Sequence, residues 1–483
     1  MSELNSIHKE KPMLTQPLFL FGLASVVCIM MGFALDQSML FLLPFVLIVI
    51  GYFFLNFQVF YFLLLASIPL CLEFELPGGI STDLPSEPLC VALMGAAFIY
   101  LAVKRKSIDF HFLKHPIAIA LFITLLWAMI STMQSVNHLV SIKYCLSKIW
   151  FITTYFILTI LLVNSPEKLK HLFWFFFIPL FATVVYTLAM HSTMGFSFEN
   201  VNNASLPFYR NHVIYAAVVT IFYPLIWIAA TWYPRGSFIR QFLKFNQFFF
   251  LVAIYFSYTR ACLLAIIVGA LYYFVIKFKL VKVSVITAII GLFLFTGYMF
   301  YDNKYLQFAP EYTKTIYHDS YDNHLEATFE GHDASSMERI NMWIGALRTF
   351  PHFPFFGTGP GNFYPTYKSY TVIHFNTWVS DNEQHLSCHN YFLLMLVEQG
   401  IFGLLFFLVL TCFIFFHIEH KYSASKSPDR RRAIAAIGIA MVMLYVNLTL
   451  SDLIETTKIG GLFFILLALL VNIDKLVPEK NAI

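Results

Sequence analysis

The amino-acid sequence predicts an all-α protein that crosses a membrane about 12–14 times, and three observations lead there. Hydrophobic residues make up 59% of the 483 positions and charged residues 12%, with 55 phenylalanines, a mixture from which no soluble surface can be built. Apolar runs of roughly 20 residues, the length that crosses a bilayer core, follow one another along the chain. The lysines and arginines gather in alternate connections between those runs.

Taken in order, the apolar runs place spans near 17–35, 38–55, 57–73, 87–103, 116–133, 147–164, 170–190, 210–231, 245–259, 260–278, 283–301, 394–418, 432–450 and 457–473. The short neighbouring pairs in 38–73 and 245–278 leave twelve or thirteen spans open. The first run starts at Pro17, shows no small-residue cleavage site and is followed at once by further spans, so it reads as a span and not as a removable leader. With the N-terminus inside, 21 of the 31 lysines and arginines fall in inner segments, among them Lys104-Arg105-Lys106 and Arg430-Arg431-Arg432. The positive-inside rule then puts both termini in the cytoplasm and the 302–388 loop outside. Three regions result: N-terminal membrane helices over 1–301, the outer loop over 302–388, and C-terminal membrane helices over 389–483.

The outer loop holds ten acids and five bases between Asp302 and Cys388, a net of −5, and six histidines. Within it Arg339-Ile340-Asn341-Met342-Trp343 reads as an amphipathic helix. Phe356-Gly357-Thr358-Gly359-Pro360-Gly361-Asn362-Phe363 is turn-rich. It is no dinucleotide site, since no strand and helix flank it and Pro360 interrupts it; a tight loop under the aromatic segment Phe363 to Tyr370 is expected. A loop of this size caps the membrane helices and does not fold by itself. The seven cysteines show no paired spacing and the loop contains only Cys388, so a disulfide within it is excluded. No internal repeat stands out, and no nucleic-acid partner is expected.

Three residues at the outer ends of inward-running helices suggest chemistry. His389, Leu393, Leu396, Gly400 and Gly403 fall on one stripe at 100° per residue. The stripe has an imidazole at its outer end and two glycines where another helix could pack closely. Glu398 lies on the opposite face and cannot orient His389 from the same helix. Arg210 and Arg260 each start a helix whose N-terminal dipole disfavours a cation, against the positive-inside trend. A bound anion would account for both, since guanidinium forks and helix N-termini suit phosphate. The plain alternatives are a helix-end histidine without chemistry, and arginines that snorkel or pair with an outer acid such as Asp452 or Glu455. Together the three residues fit group transfer off a lipid diphosphate, with His389 taking the proton of an acceptor hydroxyl and the arginines stabilising the leaving diphosphate. A metal site of His385 and His389 with Glu383 or Cys388 would need a further ligand from a second motif, and none is visible. A transporter with an arginine-lined path stays open as a different class, although no mid-bilayer ionisable residue is visible in the first 200 residues.

These residues resemble the O-antigen ligase and polysaccharide polymerase superfamily of bacterial inner membranes. Its ligases carry His-Asn, nine residues and Gly-x-x-Gly, matched by His389-Asn390 and Gly400-Ile401-Phe402-Gly403. An Arg-x-x-x-Leu element matches Arg260 to Leu264, and an earlier outer arginine matches Arg210. Arg339 and Trp343 followed by the Gly357-Thr358-Gly359 turn are similar to the family's loop, and the resemblance spans 209–410. The resemblance implies a membrane glycosyltransferase of the GT-C type, using an undecaprenyl-diphosphate-linked glycan as donor and neither cofactor nor metal. The outer loop would then be periplasmic, and the acceptor lipid A–core or a growing glycan. It further implies that His389 is the base, that Arg210 and Arg260 bind diphosphate with Arg339 as a further donor contact, and that Asn390, Gly400 and Gly403 serve the motif structurally. Ligase and polymerase share donor and chemistry; the closer match to the ligase motif favours ligase. Two spans beyond the usual dozen and the lack of a C-terminal soluble extension are departures, the second weighing against an oligosaccharyltransferase.

Overall fold

A computed structural model describes residues 56–76, 80–308, 334–372 and 387–479, with a few isolated positions before them. The expected spans 17–35 and 38–55 lie outside the described residues. The chain divides into two compact units, 1–61 and 62–483, and the second holds everything that follows except residues 57–61 at the start of α1. In chain order the elements are α1 (Phe57–Leu70), β1 (Leu72–Leu76), β2 (Ile80–Leu84), α2 (Ser86–Val103), α3 (Pro116–Thr132), α4 (His138–Leu162), α5 (Pro166–Thr193), α6 (Val201–Ser205), α7 (His212–Thr231), α8 (Phe238–Tyr255), α9 (Arg260–Lys277) and α10 (Val281–Phe300). They continue with α11 (Ala334–Thr349), α12 (Phe363–Tyr367), α13 (Tyr391–Ala424), α14 (Pro428–Leu448), α15 (Thr457–Val471) and α16 (Ile473–Leu476).

The protein is an all-α, multi-pass membrane protein. Among the described residues eight helices are long and apolar enough to cross a bilayer, and α1, α3 and α15 are shorter apolar helices. The expected span 245–259 is instead the second half of α8, whose first half carries Arg240, Gln241 and Lys244; α8 is not apolar enough to count with the others. The expected span 147–164 begins earlier, at His138, because Asn137 caps α4 by accepting from Leu139 N and Val140 N. A π-helical stretch, Ile152–Ile157, widens α4. β1 and β2 form an antiparallel hairpin pairing Glu73 with Asp83.

At the centre lies α15, buried at every position from Thr457 to Leu470 and packed beside α4, α7 and α14. A helix that is apolar all round belongs inside a bundle. By contrast, α10 is apolar and almost wholly exposed, as a lipid-facing helix should be. Polar contacts sort the helix ends into two sets. In one set, Arg210 meets Glu73 and the Lys458 ammonium donates to Cys71 O at 2.9 Å. There too the Asn362 amide donates to Ser135 Oγ at 2.9 Å and Asn390 Nδ2 to Thr449 O at 3.1 Å. In the other, Lys475 meets Asp109 at 3.5 Å, Lys421 and Arg430 meet Asp474, and Val281 N donates to Glu419 at 2.8 Å. Each contact joins ends that alternating crossings place on the same side.

Candidate active site

α13 is one helix in outline, but it breaks at Gly400, where φ is 69° and ψ −171°. Only glycine adopts that backbone without strain. A break frees the carbonyls of the preceding turn and the amides of the following one, and within an apolar span these must be satisfied by protein. The glycine turn at Gly357–Gly361 satisfies them. Thr358 N donates to Val397 O and Gly359 N to Glu398 O, both at 2.9 Å, while Ile401 N donates to Pro354 O at 2.9 Å. The Trp127 indole on α3 donates to Gln399 O at 2.8 Å, and its ring stacks on Phe356 with centroids 5.6 Å apart. The Ser131 hydroxyl bridges Phe356 O at 2.6 Å and Glu398 O at 3.2 Å.

The approach leaves no room for side chains. A Cβ on Gly357 would overlap the Glu398 backbone, one on Gly359 would overlap Ser135, and one on Gly400 the Phe355 carbonyl. The tight loop expected at Gly357–Phe363 is present, and it is wedged into a helix. The expected packing of another helix on a Gly400–Gly403 stripe is corrected: the 100° stripe assumes a continuous helix, and α13 is not continuous there. Gly403 is needed because the unwound backbone brings the Gln399 side chain onto its Cα.

At the N-terminal end of α13, Asn390 is the N-cap, its Oδ1 accepting from Leu393 N at 3.0 Å. His389 precedes the cap in the left-handed region, φ 51°, and its own N–H reaches Ser387 Oγ at 3.4 Å. α11, formed where the amphipathic segment predicts it, closes over this corner. Trp343 Nε1 donates to Cys388 O at 3.0 Å. One turn earlier on the same face, Arg339 brings its charge to His389. Burial first, and then the Arg339 guanidinium, hold the His389 imidazole down to about 4, so it is neutral at neutral pH. Glu338, next to Arg339 on α11, is buried and pushed up to about 7 by that burial. Asp452, bonded to the Ser387 hydroxyl, is also raised by burial.

The other two arginines stand on neighbouring helices. Arg260 is the first residue of α9, as expected, after Thr259. Cys262 Sγ reaches Asn447 Oδ1 at 3.4 Å, while Asn390 reaches Thr449, so Arg260 and His389 flank the same end of α14. Arg210 lies just outside α7, because Asn211 takes the cap position, and it pairs with Glu73 at 3.4 Å. The sequence suggests Asp452 or Glu455 as the acid partner. Asp452 is instead held by Ser387, and Glu455 by Lys148 at 2.9 Å and the Tyr144 hydroxyl at 3.2 Å.

Sequence reasoning missed two groups. Lys148 lies ten residues inside α4 and is 9% exposed at its side chain, so an ionisable residue does stand deep in the first 200 residues. Its signal is Lys148 itself, hidden because the apolar run starts at 147. With Tyr144, Tyr391, Gln399 and Gly403 it lines a cavity of about 50 Å³ behind the helix break. Lys458 is the second: its ammonium caps the C-terminal end of α1 through Ile68 O at 3.2 Å and Cys71 O at 2.9 Å. His385 and Glu383, from the metal alternative, lie outside the described residues.

The broken membrane helix, the glycine turn wedged into it and the histidine at its start fall in or beside a segment whose family match implies a membrane glycosyltransferase-like enzyme. Residues 245–408 match the family described as O-antigen ligase, a segment that includes Arg260, Arg339, His389, Asn390, Gly400 and Gly403 but not Arg210. That match, over about a third of the chain, supports the O-antigen ligase and polysaccharide polymerase superfamily. No curated protein matches the chain.

Proposed function

We propose that the protein is a ligase of this superfamily in the bacterial inner membrane, transferring a glycan from undecaprenyl diphosphate to an acceptor hydroxyl, lipid A–core, on the periplasmic face. His389 takes the acceptor proton as the new glycosidic C–O bond forms. The bond from the anomeric carbon to phosphate breaks, and the diphosphate leaves with its charge held by Arg339, Arg260 and Arg210. Residues 302–388 are the periplasmic arm, and both termini are cytoplasmic, in keeping with the 21 basic residues of the inner segments. No cofactor or metal enters this scheme. The observation that carries the reading is His389 held neutral next to Arg339 at a helix start inside the matched segment. A neutral imidazole can accept a proton, and the adjacent guanidinium suits an anion.

The test uses purified protein with lipid-linked donor and either lipid A–core or a second repeat unit as acceptor. His389→Ala and His389→Gln should both lose transfer, by about 10²–10⁴-fold, while donor still binds. Near-parental turnover by the Gln variant would remove His389 from the chemistry. Product on a repeat unit and none on lipid A–core would make the protein a polymerase.

A further inference from the structure

The chemistry proposed above needs Arg339 held against His389, yet Arg339 stands on an arm that departs after α10 and returns only at α13. One carboxyl group ties the two together. Glu398, 3% exposed, accepts from Gly361 N at 2.8 Å with Oε2 and from Phe363 N at 3.0 Å with Oε1. Phe363 opens α12 and stacks on Tyr367, with ring centroids 4.7 Å apart. Tyr367 lies so close to α11 that a Cβ on Gly345 would come within 3.1 Å of its ring. α11 then carries Trp343 to Cys388 O and Arg339 to His389.

We propose that Glu398 is a positioning residue, whose two-oxygen clamp on Gly361 and Phe363 holds the arm in the α13 break and so sets Arg339 against His389. The clamp and the His389 corner stand nine residues apart on α13, about 13 Å along a helix axis. The arm is thus pinned to one helix at two heights, and α11 is braced between them. This inference rests on the proposed role of His389 only for its effect on transfer, not for the clamp itself. The turn is also held by backbone hydrogen bonds and by Ser131, Ser135 and Ser141, and no substitution at Glu398 removes those bonds. Glu398 is the side chain of α13 that grips the arm with both its oxygens, so substituting it changes arm position without altering Arg339 or His389.

The experiment compares the full chain in lipid nanodiscs as parent, Glu398→Gln and Glu398→Ala. Gln keeps the size but sets an NH2 against one of the two N–H donors; Ala removes both acceptors. The first readout is the titration of the His389 imidazole by ¹³C NMR, assigned with His389→Ala. The charged and titratable groups near that corner are Arg339 and Glu338 from the arm, Cys388, and Asp452 from the connection between α14 and α15. Releasing the arm should move the titration upward from about 4, further in Ala than in Gln. The second readout is transfer, expected to fall by about 10–100-fold in Ala and less in Gln. A His389 titration in Glu398→Ala identical to the parent overturns the proposal; if Ala does not fold, an unchanged titration in Gln does so. A shifted titration with undiminished transfer upholds the clamp and overturns the dependence of transfer on Arg339 being held against His389.

Discussion

Gly400→Ala tests the interlock between arm and helix. At φ 69° and ψ −171°, an alanine takes on backbone strain of about 1–3 kcal/mol. Its Cβ would also overlap the Phe355 carbonyl, with Phe356 N close behind, and both are backbone atoms that cannot rotate away. The turn must therefore back out of the break. That loosens the bonds of Thr358 N, Gly359 N and Ile401 N, each worth about 1 kcal/mol net. Strain and lost bonds together come to about 4–6 kcal/mol. Gly195→Ala is the control: its φ is nearly the same, 66°, and an added Cβ would meet nothing within 4 Å, so it carries strain alone. The assay is reversible urea unfolding in detergent, followed by tryptophan fluorescence, to which Trp127 contributes from its stack on Phe356. Gly400→Ala should lose at least about 2 kcal/mol more than the control, a conservative part of the hydrogen-bond share. Equal losses in the two variants would show that the turn is not seated in the break.

Three further outcomes follow from the same geometry. Arg339→Ala should raise the His389 titration from about 4, but short of the ~6.5 of a free imidazole because burial, the larger cause, remains; Arg339→Lys should leave it low, both read by NMR. Since His389 binds its proton less readily folded than unfolded, the unfolded chain holds more protons between pH ~6.5 and about 4, so stability should fall as pH drops through that window, and His389→Ala should remove that part of the slope in unfolding measurements. Lys148→Ala should cost about 3–5 kcal/mol by leaving Glu455 without its buried partner, while Lys148→Met with Glu455→Leu should recover most of it in the same assay.

Much of the fold is legible in the sequence because membrane crossing leaves a strong mark on it. Runs of apolar residues locate α2, α5, α7, α9, α13, α14 and α15, and the segment Arg339–Trp343 locates α11. Less legible is anything that interrupts regular structure. A stripe from His389 to Gly403 drawn at a constant angle per residue cannot reveal a break at Gly400 that depends on a partner forty residues upstream. Gly357, Gly359 and Gly361 signal a tight turn, but not what the turn approaches. Arg210 looks like the start of a helix because the apolar run begins beside it; Asn211, a better cap, takes the position instead. Lys148 looks like a helix-end residue because its neighbours to the N-terminal side are mixed, and only packing against Glu455 shows that it is deep inside.

The break in α13 also explains why the histidine motif extends so far past the histidine. His389 and Asn390 shape the helix start; Glu398, Gly400 and Gly403 shape a second point on the same helix. Without the break, the arm would lose its seat in α13 and keep, besides the corner around His389, its hold on α3 and the α3–α4 connection. Unwinding one turn exposes backbone groups that an apolar span cannot leave bare, and the arm is the element that covers them. Arm and helix therefore cannot separate without stranding several buried N–H and C=O groups, each costing about 1–3 kcal/mol. The cost of breaking the helix is thus converted into rigidity where the imidazole meets the guanidinium. For the proposed transfer, that arrangement would put the charges in place before a donor arrives.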